Sequence, residues 1–359
     1  MKVDCKELVK SLEKVYPAVG INILVPEFKC FQFQGNVVTA TDGMVRMSGP
    51  LLNTFEIPML IPATPFLQFL RGLEVSEIDV ALSKPNTFTV KAGRIKGDFT
   101  ILTKYTSTEI PLEGDLLEIE NIPEFVNALS YCKQSVSKDE TLGALCGVHT
   151  RENRMYGCDR FNILRVVGKF GGSKVTLPEK LVEILAKNTE DIQDIIYLTN
   201  THFTVALKND IFISSPVLQG PYPEDPHNPG EELDIEGYFP TEKATQEIFF
   251  TEAILDILDR HIIFLKEVDV VNRLTKVFIK ENKCYFTSKN VNLGNLEEEV
   301  EYKVSTEGVP ITFLCDPVSL KKILENSSTF GFEVHGEKGI VYFNTNNYSY
   351  IMNISSEEE

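Results

Sequence analysis

The residue types that could do chemistry are present, but not at the spacings that chemistry needs. His149, His202, His227, His261 and His335 are scattered along the chain. A zinc site or a proton-transfer pair on one helix needs histidines a turn apart, as in HExxH, and neither that motif nor HxxxH nor a Cys/His cluster occurs. The seven cysteines (Cys5, Cys30, Cys132, Cys146, Cys158, Cys284 and Cys315) form no CxxC pair, and each lies in an apolar run. They read as reduced core thiols of a cytoplasmic protein. Cys158-Asp159 could be an activated thiol, but no neighbouring histidine supports it. No GxSxG, no GxxxxGK[ST] and no GxGxxG opening a helix occurs, and Gly171-Gly172 precedes a strand-like run, so it reads as a turn rather than a phosphate cradle. The cluster LEEEVEYKV (296–304) could hold Mg²⁺ or serve as an acid/base pair. Bunched carboxylates repel unless a metal holds them, so the reading is a solvated hairpin. No enzyme, metal or cofactor is expected. A hydrolase built on Asp159 and Glu298 remains an alternative that lacks a spaced catalytic set.

The cations are more suggestive. Lys6, Lys10 and Lys14 step by four residues opposite Leu8, Leu12 and Val15, so they share one helix face. Arg71, Lys133, Lys180, Lys187, Arg260, Lys321 and Lys322 fall on other expected helices. These could be basic faces turned toward a phosphate backbone, or ordinary solvated faces. Asp4, Glu7 and Glu13 bring the first helix to about zero charge, and the helix at 251–266 is net acidic. The whole chain carries 35 basic and 52 acidic residues, a net charge of −17, which argues against nucleic acid bound over the whole surface and against anionic membranes. A local basic track remains compatible with it.

Something must position these residues, and length and composition bound what that is. The chain has 359 residues, enough for two to three domains, and 43% hydrophobic residues, enough for packed cores. That composition excludes wholesale disorder. No run approaches ~18 apolar residues, and the charged start MKVDCKELVKSLEKVY has no apolar signal segment, so neither a membrane span nor a signal peptide is expected.

Internal repetition gives the architecture. IPATPFLQFLRGL (61–73), TLPEKLVEILAKN (176–188) and FLCDPVSLKKILENS (313–327) share a proline near the start of an apolar helix pattern. Proline is tolerated in the first turn, where the amide has no partner. Each has an earlier helical partner, at 4–16, 122–136 and 251–266. Alternating strand-like runs lie within and after each helix pair, with turn signals at Gln34-Gly35-Asn36, Arg151–Asn153 and Glu281-Asn282-Lys283. Asp42, Asp159 and Asn290 stand at equivalent strand ends, about 117 and 131 residues apart. The extra length of the second interval falls in 219–246, rich in Pro, Gly and acid, which reads as a linker or surface loop; a second boundary lies near 106–115. The chain therefore reads as α+β: three copies of a module with two helices on antiparallel sheets, at 1–113, 114–240 and 241–359. Each copy repeats internally, so six similar units are expected, and an array of such units can curve and close into a ring.

This order resembles the bacterial-type β sliding clamp family, the DNA polymerase III β subunits. VFIKENKCYFTSKNVNLGNLEEEVEY (277–302) is similar to that family's third-domain strands, and LIPATPFLQFLRGL to a helix of its first domain. MYGCDRFNILRVV (155–167) sits where the family shows Thr-Asp-Gly-His-Arg-Leu and keeps the Asp. The likeness covers nearly the whole chain and is that of a divergent member; bacterial and phage sources both stay open.

The resemblance implies a cytoplasmic, non-catalytic processivity factor. Each chain would form half of a closed ring, with helices lining the hole and the head-to-tail homodimer encircling duplex DNA. Weak phosphate contacts by the basic residues named above would permit sliding. DNA polymerase and clamp loader would dock short linear motifs in a pocket whose matching positions here are Leu145, Cys158, Phe161, Ile163, Pro226, Tyr350 and Met352. Phe161 and Asn162 replace the family's His-Arg, and Arg160 its Gly, which implies an apolar pocket of different shape. The dimer contact would join Phe99 and Ile101 to Ile263 and Phe264. Rival readings are a two-domain ring that trimerises, a repeat-type interaction scaffold with no DNA role, and the hydrolase above.

Overall fold

A computed structural model describes all residues except 22–24, 85, 103–109, 111, 160–161, 226–227, 229, 269–272, 281–282, 305–309, 328–329, 346 and 355–359. Six α-helices lie among the described residues: α1 (Cys5–Val15), α2 (Ala63–Arg71), α3 (Ile122–Cys132), α4 (Glu179–Lys187), α5 (Ala253–Phe264) and α6 (Pro317–Glu325). All six fall within the expected segments. The helix starts follow from sequence. The Asp4 carboxylate accepts from the Glu7 amide at 3.0 Å to open α1, and Asp316 caps α6 by accepting from the Val318 and Ser319 amides, with Pro317 in the first position. No described helix is long and apolar enough to cross a membrane.

Contacts divide the chain into two compact units, and the division falls inside α3 and α4. The first unit is Met1–Val126 with Lys180–Val217. Its larger sheet has six antiparallel strands in the order Cys30–Thr41, Arg46–Pro62, Ile211–Pro216, His202–Leu207, Ile192–Leu198 and Asp115–Leu116. Its smaller sheet orders Lys2–Asp4, Glu77–Lys84, Thr87–Ala92 and Ile95–Thr100. Leu8, Leu12 and Val15 of α1 are buried, and an aromatic chain runs Phe55, Phe33, Phe66, Phe99, with ring centroids 4.9, 6.2 and 5.0 Å apart.

The second unit is Asn127–Glu179 with Leu218–Glu359. A nine-stranded antiparallel sheet runs Val175–Pro178, Gly147–Arg151, Arg154–Cys158, Asn162–Val167, Ser349–Asn353, Ile340–Asn344, Gly331–His335, Gln246–Phe249 and Lys303–Val304. A four-stranded sheet orders Gly294–Glu301, Lys283–Asn290, Thr275–Lys280 and Ile311–Cys315. Both larger sheets take strands from two of the sequence repeats, so backbone pairing joins what the repeat count separates.

The three strand-end residues explain themselves. The Asp42 carboxylate accepts from the amides of Met44 and Val45 at 2.9 and 2.7 Å, Asp159 from that of Asn162 at 2.7 Å, and the Asn290 side-chain oxygen from those of Asn292 and Leu293 at 2.9 and 3.3 Å. Each is a side chain turning its own backbone, a job that needs a short acceptor and little else.

Two expectations change. Gln34-Gly35-Asn36 is not a turn: the strand continues from Cys30 to Thr41, and Gly35, at φ +60°, forms a bulge with register shifts on both sides. The chain reverses at Asp42–Val45 instead. The segment 219–246 is not merely a surface connection, because Tyr222, Ile235 and Phe239 are buried in it. Its Pro, Gly and acid content hides apolar residues that anchor it. The signal at Arg151–Asn153 is a hairpin turn, with Glu152 at φ +53°; 281–282 of the third lie outside the described residues.

Candidate partner-binding site

Strand alternation selects one face of the nine-stranded sheet. His149 pairs with Tyr156, Arg151 with Arg154, Tyr156 with Arg165, Cys158 with Ile163, Ile163 with Ile351 and Ile351 with Tyr342, so all these side chains share that face. The described residues of 222–239 lie across it. Tyr222, Ile235 and Phe239 join Ala144, Tyr156, Cys158, Ile340 and Ile351 in a buried cluster, with Leu145, Ile163, Leu233 and Tyr342 packed at its margin.

Polar groups fasten the segment down. Tyr156 Oη donates to Glu236 Oε1 at 2.7 Å, and Arg165 Nη1 donates to Glu236 Oε2 at 3.0 Å. The Arg165 guanidinium lies 3.7 Å above the centre of the Phe239 ring. Tyr222 Oη donates to the Tyr156 carbonyl at 3.2 Å, and its ring stacks on His149 at 4.5 Å. Burial and the adjacent Glu236 carboxylate push the Tyr156 phenol up, so it stays a donor. Burial drives the His149 imidazole down to about 4, and Glu232 opposes this only in part. Burial also pushes the Cys158 thiol up, and its Sγ donates to the Asp159 carbonyl at 3.0 Å. That environment keeps the thiol protonated, the opposite of activation.

Of the expected pocket residues, Leu145, Cys158 and Ile163 come together here. Phe161 and Pro226 lie outside the described residues. Tyr350 and Met352 flank Ile351 and therefore face the other side of the sheet, where both are buried and Tyr350 meets Phe343 at 6.1 Å. Sequence reading missed Tyr156, Tyr222, Ile235, Phe239 and Tyr342. Tyr156 was readable from period two, since it precedes Cys158 by two residues; the loop residues needed the fold.

The expected DNA-contacting cations are largely engaged. Arg71 on α2 meets Glu13 on α1 at 2.8 Å, and Lys321 on α6 meets Asp259 on α5 at 2.6 Å, so equivalent ion pairs stitch two helix pairs. Lys14 pairs with Asp191 at 3.0 Å, Arg260 with Glu298 at 2.7 Å, and Lys10 loosely with Glu7 at 3.8 Å. Lys133, just past α3, is half-buried and also has a partner. Lys6, Lys180, Lys187 and Lys322 are exposed and make no ion pair among the described residues. Of the expected dimer residues, Phe99 is half-buried against Phe66 and Phe69, Ile101 is buried, Ile263 is 71% exposed, and Phe264 is half-buried. Ile95–Thr100 and Gly294–Glu301 are both edge strands of their sheets.

A Ser–His–Glu arrangement also occurs. Ser288 Oγ lies 2.7 Å from His261 Nδ1, and His261 Nε2 lies 3.6 Å from Glu298 Oε2. Ser288 and His261 are fully buried, however, and Thr275 Oγ1 lies 2.7 Å from Ser288 Oγ. A nucleophile must reach a substrate, so this is core packing between α5 and its sheet.

No protein-family model matches the sequence, and no curated protein is significantly similar to it. Solved structures are similar over the full length. Caulobacter crescentus pol III beta is 16% identical, with 99% of this chain and 100% of that chain covered, at a TM-score of 0.76. The putative DNA polymerase III beta subunit of Eubacterium rectale is 13% identical, with 99% and 98% covered, at 0.76. The DnaN sliding clamp of Bartonella birtlesii, solved bound to griselimycin, is 17% identical, with 99% of each chain covered, at 0.75. The chain has the fold of these β subunits.

Proposed function

We propose that this chain is a β sliding clamp: a non-catalytic, cytoplasmic processivity factor of three domains, at 1–113, 114–240 and 241–359. Two copies close head to tail around duplex DNA. The likeness to solved clamps, which covers 99% of this chain, carries this reading. The carboxylates of the hydrolase alternative support it too: Asp159 is used in its turn and Glu298 is held by Arg260.

The mechanism is topological. A closed ring cannot leave DNA without opening, so it needs no strong local contact. Lys6, Lys180, Lys187 and Lys322 supply weak, salt-sensitive phosphate contacts, and the ion pairs of the remaining cations keep the affinity low enough for sliding. The net charge of −17 discourages DNA from binding elsewhere. The two exposed sheet edges, Ile95–Thr100 with Phe99 and Gly294–Glu301 beside Ile263 and Phe264, suit a copy-to-copy contact that pairs both. DNA polymerase and the clamp loader dock apolar anchors of short motifs on the cluster holding Leu145, Cys158 and Ile163.

The test is retention on nicked circular DNA after loading. Rings should stay bound and run off when the circle is linearised. Equal retention on both forms, or none on either, would overturn the reading.

A further inference from the structure

A polar cleft of about 130 Å³ opens beside the apolar cluster, between the hairpin 147–158 and the overlying segment. Its lining comprises His149, Arg151, Glu152, Arg154, Tyr156, Tyr222, Asp234, Ile235 and Glu236. Tyr156, Tyr222 and Ile235 belong to both cleft and cluster.

Hydrogen-bond capacity in the cleft is unbalanced. His149 is 3% exposed, and its Nε2 is buried without a partner. Thr176 Oγ1 lies 2.9 Å from Nδ1, and in the tautomer in which the hydroxyl donates there the imidazole proton sits on Nε2. Arg154 meets Glu152 and Glu236 only at 3.4 and 3.6 Å, and Arg151 meets Glu232 only at 3.7 Å. The acceptors are otherwise committed or wet. Glu236 uses its oxygens on Tyr156 and Arg165, and Glu232 pairs with Lys174 at 2.6 Å. Glu152 and Asp234 stand exposed to solvent. Among the described residues of the lining, the buried His149 Nε2 is therefore the one unspent group inside, flanked by Arg151 and Arg154, whose side chains are 56% and 39% exposed and whose nearest carboxylates stand at 3.4–3.7 Å. A buried unpaired donor is costly, and a bound acceptor relieves it.

We infer that this cleft is a carboxylate subsite, and that it takes an Asp or Glu side chain of a partner peptide whose apolar anchor docks on the adjoining cluster. The docking half rests on the proposed clamp function; the carboxylate half does not. The register sets the spacing. Arg154, Tyr156 and Cys158 alternate along one strand, so the cleft lies about 7–13 Å from the anchor position at ~3.3 Å per residue. An extended peptide spans that when its acid lies two to four positions from the anchor.

Fluorescence polarisation with two labelled peptides tests this. They share a Leu-x-x-Phe anchor and differ only in carrying Glu or Gln three residues upstream. The Glu peptide should bind about tenfold more tightly, and the difference should shrink at high salt. In the double variant Arg151→Gln, Arg154→Gln, two partly exposed sites that can change without disturbing the core, the preference should vanish while the Gln peptide binds as before. Equal binding of both peptides to the natural protein, or a preference that survives in the variant, overturns the inference. If neither peptide binds, peptide docking has failed, and acetate decides the subsite alone. A saturating shift of the His149 Cε1–H resonance that the double variant loses supports it, and no shift overturns it.

Discussion

Acidification should weaken the fold through His149. An unfolded imidazole titrates near 6.5, whereas folded His149 resists protonation down to about 4, because burial outweighs the opposing Glu232 carboxylate, with smaller help from Lys174 and Arg151. Between those values the unfolded chain binds a proton that the folded chain refuses, so stability falls as pH falls. The full span of about 2.5 units is worth about 3 kcal/mol at ~1.36 kcal/mol per unit, and about 2 kcal/mol is already lost at pH 5. The contribution is fully present above about pH 7. His261, also held down by burial, adds loss of the same sign. Depressed carboxylates such as Glu232 act only further into acid. His149→Gln separates the terms, because glutamine does not titrate in this range. Urea unfolding followed by circular dichroism at pH 7.5 and 5.0 should show the natural protein losing about 2 kcal/mol more than the variant. A His149 Cε1–H titration should place its midpoint well below 6.5. A midpoint near 6.5, or equal losses in the two proteins, would refute the reasoning.

Three further outcomes follow from packing and charge. Gly157→Ala should destabilise by about 3 kcal/mol or more, because its Cβ would stand 1.8 Å from the Cys132 carbonyl oxygen at the end of α3; calorimetry should show a drop of roughly 6–12 °C, while Gly172→Ala, which meets nothing, leaves Tm within about a degree. Replacing Lys6 and Lys187 by Gln should reduce the salt dependence of DNA binding by about two in slope, whereas Arg71→Gln, already spent on Glu13, should change it little; equal effects would remove the distinction between engaged and free cations. Phe99→Ala should yield monomers in sedimentation equilibrium, and an unaltered dimer would count against the assigned contact.

What the sequence disclosed, and what it hid, divides by the range of the physics. Helices were legible because Leu8, Leu12 and Val15 repeat at the helical period and Asp4 or Asp316 caps locally. Gly35 was misread because a glycine between strand residues fits either a turn or a bulge, and only its partner strand decides. Tyr350 and Met352 illustrate a sharper limit: one step along a strand reverses the face, so both stand across the sheet from Cys158 and Ile163. The Glu13–Arg71 and Asp259–Lys321 pairs join residues 58 and 62 apart, and no local pattern announces them.

The recurrence of small devices explains how so divergent a sequence keeps the fold. Asp42, Asp159 and Asn290 do one job with two residue types, since a turn of this kind requires only a short side-chain acceptor at the strand end. The two helix-to-helix ion pairs use different cations and acids in equivalent places. Gly157 is stricter, because a backbone carbonyl occupies the space of its Cβ and cannot yield as a flexible side chain could. A fold specified mostly by residue class at a few geometric points, and by identity at very few, can drift far in sequence while its sheets hold their register. Drift of that kind alters the side chains facing a partner before it alters the frame that presents them. The cleft lined by His149, Arg151 and Arg154 is built on that frame, and the proposed carboxylate preference belongs to its side chains rather than to the fold.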